Sequence, residues 1–532
     1  MMKAKFWRQG EPYVWATGMA LALVLFLTIT LLSVVIANGA AIFWPQPVAL
    51  AELTDGSRVL GEISQQQKRP QSEEQRYQFK TGNREMYSLD FRWVDASAIK
   101  RLSHPARVTV LERLENGNFY GYLREIRAPQ LNLPAATGDT ALAQALTAIA
   151  PQQAEIEQLN DTIAELNYRL EQVQNKLAGL RHQRGADPAR LEALAAEERT
   201  LKGRFDELAT RLADQRSALN QHEAVFIDAS GTEKVIALAD IVRAYQPNTM
   251  GVWQKSGYYL TRLRELFTED PRESNTEGGL FPAIFGTIML VFLMSIVSFP
   301  IGVVAGVYLR EYAKEGVLVK MVRIAVNNLA GIPSIVYGIF GLGFFVYGIG
   351  SSIDQLFFAE RLPNPTFGTG GILWASLTLG LLTVPVVIVA TEEALGAIPP
   401  GIREGSQALA ATKFQTLTKL LLPMASPGIL TGFILAMARA AGEVAPLMIT
   451  GVVKLAPALP LDGHFPYLHL DRKFMHLGFH IYDIGFQSPN VEASKPMVYV
   501  TTLLLILIVL LMTSTAIYLR NKMRKHYAVV DV

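Results

Sequence analysis

The chain has no cysteine in its 532 residues. That excludes disulfides, thiolate metal sites and thiol nucleophiles, so a domain outside the cytoplasm must stand on its own core. No Gly-x-x-x-x-Gly-Lys-Ser/Thr phosphate loop occurs either, which leaves ATP hydrolysis to another chain. Excess charge of either sign is missing. A formal net charge of +2 argues against a nucleic-acid partner, whose binders carry a strongly basic balance. Charged residues make up only 18% of the chain and hydrophobic ones 50%. That average hides a division, with apolar blocks at residues 14–36 and beyond 279 on either side of a polar interior.

Six apolar runs stand out: Val14–Ile36, Leu280–Tyr308, Ile324–Ile349, Ile372–Ala390, Gly428–Ile449 and Met497–Tyr518. Each reaches the roughly 20 residues needed to cross a hydrocarbon core. The first exceeds the apolar stretch of a signal peptide, about 7–15 residues, and reads as an uncleaved anchor. Lys3, Lys5 and Arg8 precede it. Arg310, Lys314, Lys320 and Arg323 lie between the second and third runs, and Arg520, Lys522, Arg524 and Lys525 follow the last. The positive-inside rule then puts both termini in the cytoplasm and residues 38–278 outside.

The outside segment has two characters. Residues 48–126 alternate apolar and polar side chains between turn signals such as Thr54-Asp55-Gly56 and Glu115-Asn116-Gly117-Asn118, the pattern of a small β-rich module. Ala224–Tyr245 resumes it. Between them Ile156, Leu159, Ile163, Leu166, Leu170, Val173, Leu177 and Leu180 repeat at spacings of three and four, the seam of a coiled coil. Gly185-Ala186-Asp187-Pro188 interrupts the helix, and Leu191, Leu194, Leu201, Phe205, Leu208, Leu212 and Leu219 take up the rhythm again. Two such helices predict an antiparallel hairpin on the order of 45 Å long. The expected fold class is a polytopic α-helical membrane protein with six transmembrane helices, carrying a β-rich module interrupted by a coiled-coil hairpin. Its parts are residues 1–37 (cytoplasmic N-terminus and first span), 38–150 and 224–278 (the two portions of the β-rich module, the second with a linker), 151–223 (hairpin), 279–520 (the remaining five spans) and 521–532 (cytoplasmic tail).

Within the membrane half a few residues break the apolar pattern. Arg439 and Glu443 lie inside a span, where an ionisable side chain costs several kcal/mol unless paired or wet. Four apart, they can meet on one helix face, as an ion pair joining structure or as an anion site with Arg439 attracting an oxyanion. Pro446 should loosen the helix beside them. Gly331, Pro333 and Ser334 interrupt the start of the third run, and broken helices at membrane depth often line a cavity. Arg403 is either a topology residue or a guide for an anion at the cytoplasmic exit. His464, His469, His476 and His480 crowd one outside loop, with His476 and His480 spaced for a metal pair but no carboxylate placed to complete it. No metal site is expected.

The polar segment from Arg403 to Pro423 resembles the EAA loop of ABC-importer permeases. Glu404, Leu420, Leu422 and Pro423 fall at the family's spacing; the triplet reads Glu404-Gly405-Ser406, followed by Ala408, and the family's glycine is replaced by Ala410. Asn328-Leu329-Ala330-Gly331-Ile332-Pro333-Ser334 and Ala438-Arg439-Ala440-Ala441-Gly442-Glu443-Val444-Ala445-Pro446-Leu447 are similar to segments of the permeases of phosphate ABC importers, a resemblance that covers residues 278–518. It implies an ABC-type permease of a bacterial inner membrane that carries no catalytic residues and binds no cofactor. The partners it implies are a second permease (PstC), a dimeric ATPase (PstB) that uses the ATP, and a periplasmic phosphate-binding protein (PstS). The loop around Glu404 would couple ATPase to spans, with Gly405, Ser406, Ala408, Ala410, Leu422 and Pro423 shaping it, and Arg439, Glu443 and Arg403 would serve the anion path. A sulfate or molybdate permease is the neighbouring alternative. A membrane-anchored adaptor of a secretion system would share the anchor and hairpin but needs no further spans.

Overall fold

The computed structural model describes residues 10–68, 74–87, 89–128, 139–182, 187–488 and 490–527. Lys3, Lys5, Arg8 and the Gly185-Ala186 turn lie outside the described residues. The chain forms two compact units, one made of Met1–Ile42, Leu280–Gly348 and Thr369–Val532, the other of Phe43–Gly279 and Ile349–Gly368.

In the second unit ten strands form two antiparallel five-stranded sheets. The first sheet contains β1 (Val48–Leu53), β2 (Arg58–Lys68), β3 (Gln75–Lys80), β4 (Phe91–Asp95) and β5 (Ile99–Ser103) in the order β4-β3-β2-β1-β5. The second contains β6 (Thr109–Arg113), β7 (Phe119–Arg127), β8 (Glu223–Ile227), β9 (Glu233–Ala237) and β10 (Ile241–Tyr245) in the order β10-β6-β7-β8-β9. The β6–β7 hairpin turns on Asn116 and Gly117, both at φ 67°, the pair of left-handed residues that Asn-Gly supplies at least cost. Val48, Leu60, Val108, Val110 and Tyr120 bury together, so inward positions from both sheets share one core.

Two long helices, Asp139–His182 and Pro188–Asn220, leave and rejoin the second sheet. Glu155 meets Arg211 at 2.7 Å and Gln174 meets Glu198 at 3.0 Å, partners that run in opposite directions along the chain as an antiparallel pair requires. Leu159, Leu166, Val173 and Leu177 are buried. The first helix begins at Asp139, twelve residues ahead of the boundary expected at residue 151, because Leu142, Ala145 and Ile149 pack into the core of the second sheet with Phe119, Leu219 and Phe226. The segment Ile349–Gly368 belongs to this unit. It is organised by the buried Asp354 carboxylate, which accepts backbone bonds from Phe367 and Gly368 at 2.6–3.0 Å, and its turn Ala359–Arg361 packs against the first hairpin helix.

Six helices among the described residues are long and apolar enough to cross a membrane: Glu11–Ala41, Phe281–Tyr312, Ser334–Phe357, Ile372–Gly396, Lys413–Gly442 and Val491–Met523. The fourth is the most enclosed. Gly302 and Gly306 of the second span lie against Val387 and Thr391, where an added Cβ would approach to 2.6 and 2.7 Å, and Gly428 and Gly432 of the fifth lie against Ala394 and Ala390. Small residues four apart let helix backbones close on one another without a hydrophobic drive, which lipid does not provide.

The spans depart from their expected limits at one or both ends, most in the third and in the fifth, which begins at Lys413 rather than Gly428. The third does not run from Ile324: residues Val317–Leu329 form a separate amphipathic helix with no buried side chain, and the span starts at Ser334. Pro333 cannot donate to the carbonyl of Leu329, so the first helix stops there. The fifth ends at Gly442 rather than Ile449, since Pro446 likewise has no N–H for the Gly442 carbonyl.

Candidate functional site

The two proline breaks meet. At the first, the Tyr337 hydroxyl donates to the Leu329 carbonyl at 2.8 Å, replacing the bond that Pro333 cannot make. At the second, Glu443 adopts an extended conformation (φ −77°, ψ 133°) and a short helix, Ala445–Thr450, follows with Pro446 in its first turn. Gly338 of the third span packs on Pro446 so closely that a Cβ there would lie 2.7 Å from the Pro446 Cα. Tyr337, Ala440, Ala441, Leu447 and Phe474 share the surrounding core. Gly331, Pro333, Ser334 and Pro446 thus belong to two helix interruptions that face each other across Gly338.

Arg439 sits in the last helical turn before the second break and donates from Nε to Glu443 Oε1 at 3.3 Å. Glu443 reaches it from outside the helix, not from the same helical face as the spacing predicts, because the backbone has already turned. The Glu443 side chain is mostly covered while that of Arg439 is 40% exposed, and only Nε of the guanidinium is used on Glu443, so Arg439 keeps donors available to a further acceptor.

The EAA-like segment is a separate cluster. Pro400–Ala408 is a helix with no buried residue, on which Glu404, Gly405 and Ala408 are exposed. Ser406 Oγ pairs with Thr416 Oγ1 at 2.9 Å. Leu409 and Ala410 turn the chain, Ala410 at φ 60°, and Thr412 caps the next helix in a reciprocal box with Gln415. Leu422 packs beside Leu395, Leu417 and Leu421, and Pro423 occupies the first turn of the final helix of the fifth span. Arg403 fixes this loop to its surroundings. It binds Glu311 at 2.7 Å and the carbonyls of Leu395 and Ile398 at 2.7 and 2.8 Å, and its bonds do not extend to Arg439 or Glu443. A cavity of about 140 Å³ lies beside it, lined by Glu311, Tyr312, Arg403, Gln407, Lys413 and Thr416.

The histidine loop does not gather into a metal site; no group of three or more His, Asp and Glu among the described residues could hold one. Asp462 organises it, accepting from the His464 amide at 2.8 Å, His469 at 2.9 Å and Arg472 at 2.6 Å. Burial works against the Asp462 charge, but these donors outweigh it and hold the carboxyl at about 2. His476 and His480 point to different partners, Gly478 N and Thr501 Oγ1.

Two ionic links were not singled out from the sequence. Glu311 pairs with Arg403, and Arg323 joins Glu392 at 3.1 Å and the Leu309 carbonyl at 3.1 Å. The usable signal was an acidic residue at the end of an apolar run, at positions 311 and 392, since such a charge needs a partner.

Residues 298–525 match the model of the binding-protein-dependent transport system inner membrane component, a stretch that includes both breaks and the EAA-like loop. A probable phosphate transport system permease protein PstA of Methanocaldococcus jannaschii is 34% identical over 41% of this chain and 67% of its own length. The PstA of Yersinia pestis is 37% identical over 35% of this chain and 58% of its own, and the probable ABC transporter permease YqgI of Bacillus subtilis 30% identical over 41% and 70%. Among solved structures, the inward-facing MetNI methionine ABC transporter aligns at 20% identity and TM-score 0.35, over 46% of this chain and 95% of its own.

Proposed function

Because the chain belongs to the PstA-type permeases of binding-protein-dependent transport systems, we propose that it is the phosphate-conducting subunit of an ATP-driven importer in a bacterial inner membrane. The observation that carries the reading is the Arg439–Glu443 pair at the meeting of two broken spans. Phosphate near neutral pH keeps at least one proton, whereas sulfate has none to donate. A guanidinium with spare donors beside a carboxylate suits such an anion: Arg439 supplies attraction and Glu443 accepts the substrate's O–H. Both termini face the cytoplasm and the β-sheet unit with its coiled-coil hairpin faces the periplasm, as the distribution of Lys and Arg argues.

The rest of the machine is shared with partners of the kind family membership supports: a second permease, an ATPase dimer and a periplasmic phosphate-binding protein. This subunit binds no nucleotide itself. The exposed helix Pro400–Ala408, held by Arg403 to Glu311, receives the ATPase and passes its closure to the second and fifth spans. Arg403 serves this reading as an anchor of the coupling helix, since its donors are already engaged.

The test is [³²P]phosphate uptake in a strain lacking the chain, using a permease complex that transports without its binding protein. Arg439→Gln should abolish uptake, because the covered Glu443 is then left unpaired and repels the anion. Glu443→Gln should weaken uptake and lose part of the discrimination against sulfate. Parental phosphate uptake by Arg439→Gln would make the pair structural; sulfate uptake in place of phosphate would make the permease one for another oxyanion.

A further inference from the structure

His476 is one of the most deeply enclosed polar side chains of the membrane half, 1% exposed. It precedes the short helix Leu477–Tyr482, and its Nδ1 accepts from the Gly478 backbone N–H at 3.1 Å. An imidazole nitrogen that accepts carries no proton, so the ring's hydrogen is on Nε2. Burial pushes the ring down to about 4, so it is neutral near pH 7 and Nε2 is a donor only. That Nε2 has no hydrogen-bond partner among the described residues. A buried donor without an acceptor costs about 1–3 kcal/mol in a native structure, so it calls for a reason.

Its position supplies one. The point that a Gly478 Cβ would occupy is 3.1 Å from His476 Cε1 and 2.8 Å from Val444 Cγ2. Val444 is the residue after Glu443, inside the second helix break. The Cε1 edge of the imidazole and the Val444 side chain therefore border the same point beside Gly478, the ring being brought to the neighbourhood of the break by a loop 32 residues further along the chain. The loop is held in place: Leu477 N donates to Thr287 Oγ1 at 2.9 Å, and Phe474 and Leu477 are fully buried. Gly478 leaves no room for the ring to swing toward its own helix, and the glycine is what lets the ring and Val444 approach together.

We propose that His476 is a substrate-contacting residue of this permease, its Nε2–H donating to an oxyanion oxygen when the anion reaches the break at Glu443–Val444. The inference rests on the reading of the chain as an oxyanion permease and adds a neutral donor to the charged pair. A neutral donor complements that pair chemically. Arg439 attracts any anion, whereas an N–H fixed in direction rewards an oxygen at one point and adds no charge that would trap the substrate.

The test uses the complete importer in cells and compares His476→Phe, which keeps a ring but has no donor, with His476→Gln, whose amide nitrogen can stand near Nε2. A hydrogen bond from a neutral donor to a charged oxygen corresponds to roughly tenfold to a hundredfold in affinity. His476→Phe should raise the KM for phosphate by that factor with the maximal rate nearly unchanged, and His476→Gln should restore most of it. A parental KM for His476→Phe, or equal KM changes in both variants, would overturn the proposal and leave the ring a packing residue or the partner of a buried water. Should His476→Phe fail to accumulate, His476→Leu, which also lacks a donor, takes its place and the same KM comparison with His476→Gln decides the matter. A KM for His476→Leu equal to that of the parent or of His476→Gln overturns the proposal. Failure of the parental complex to take up phosphate, sulfate or molybdate would instead sink the oxyanion reading itself, and the two failures are thereby distinguishable.

Discussion

At the scale of single residues, the EAA-like loop stores strain at one identifiable place. Ala410 holds φ 60°, a left-handed conformation that costs an L-residue about 1 kcal/mol or more and a glycine almost nothing. The loop pattern that this segment resembles has glycine at this spacing, and a left-handed residue is what the turn of Leu409 and Ala410 between two helices requires. Ala410→Gly should therefore be neutral or stabilising, by up to about 1 kcal/mol once the glycine's extra unfolded-state freedom is counted. Thermal unfolding of the purified protein in detergent is the measurement, and a lower midpoint for the variant would show that the turn is held by something other than this backbone preference. Arg403 is the opposite kind of residue. Its fork is filled by Glu311 and two carbonyls, so its charge is spent on holding the loop.

At the scale of elements, the membrane half is organised around where helices stop. Gly338 allows the third span to rest on Pro446, and a methyl group there would lie 2.7 Å from backbone. Gly338→Ala should push the two broken spans apart and cut phosphate uptake at least tenfold while the protein still inserts. Gly343→Ala, in the same span with nothing within 4 Å of the added carbon, is the control and should transport normally. Equal activity of the two variants would show that the junction tolerates separation. Much of this architecture is legible in the sequence. Each of the six spans has an apolar run long enough to declare itself, and Pro333 and Pro446 mark the breaks because a missing N–H acts locally. What hydropathy averages away is the difference between helix Val317–Leu329 and the span after it, since a one-sided apolar pattern raises the mean as a span does. Pairings such as Glu311 with Arg403, 92 residues apart, and the placing of His476 beside Val444 are decided by tertiary packing, which local spacing does not encode.

At the scale of the whole molecule, the long helical hairpin can be removed without opening the core beneath it. Glu155 and Arg211 face each other at 2.7 Å, so a short Gly/Ser bridge replacing residues 158–209 keeps that pair, and it keeps Leu142, Ala145, Ile149 and Leu219 in the core. The shortened protein should insert and take up phosphate within about twofold of the parent, since removal of an exposed excursion with adjacent ends strains little. Its turn Ala359–Arg361 loses the helix packed against it, so trypsin should cleave after Arg361 faster than in the parent, read by peptide mapping of the purified protein. Loss of uptake at normal protein level would make the hairpin essential to transport. The assignment of Ile349–Gly368 to the same compact unit as Phe43–Gly279 also bears on inheritance and engineering. A domain inserted at one point can be transplanted with two cuts, whereas this one includes a stretch of chain from a second, distant position. A chimaera that grafts residues 43–279 onto another permease must carry residues 349–368 as well, and the two stretches have to be exchanged together in any recombination that keeps both of them folded.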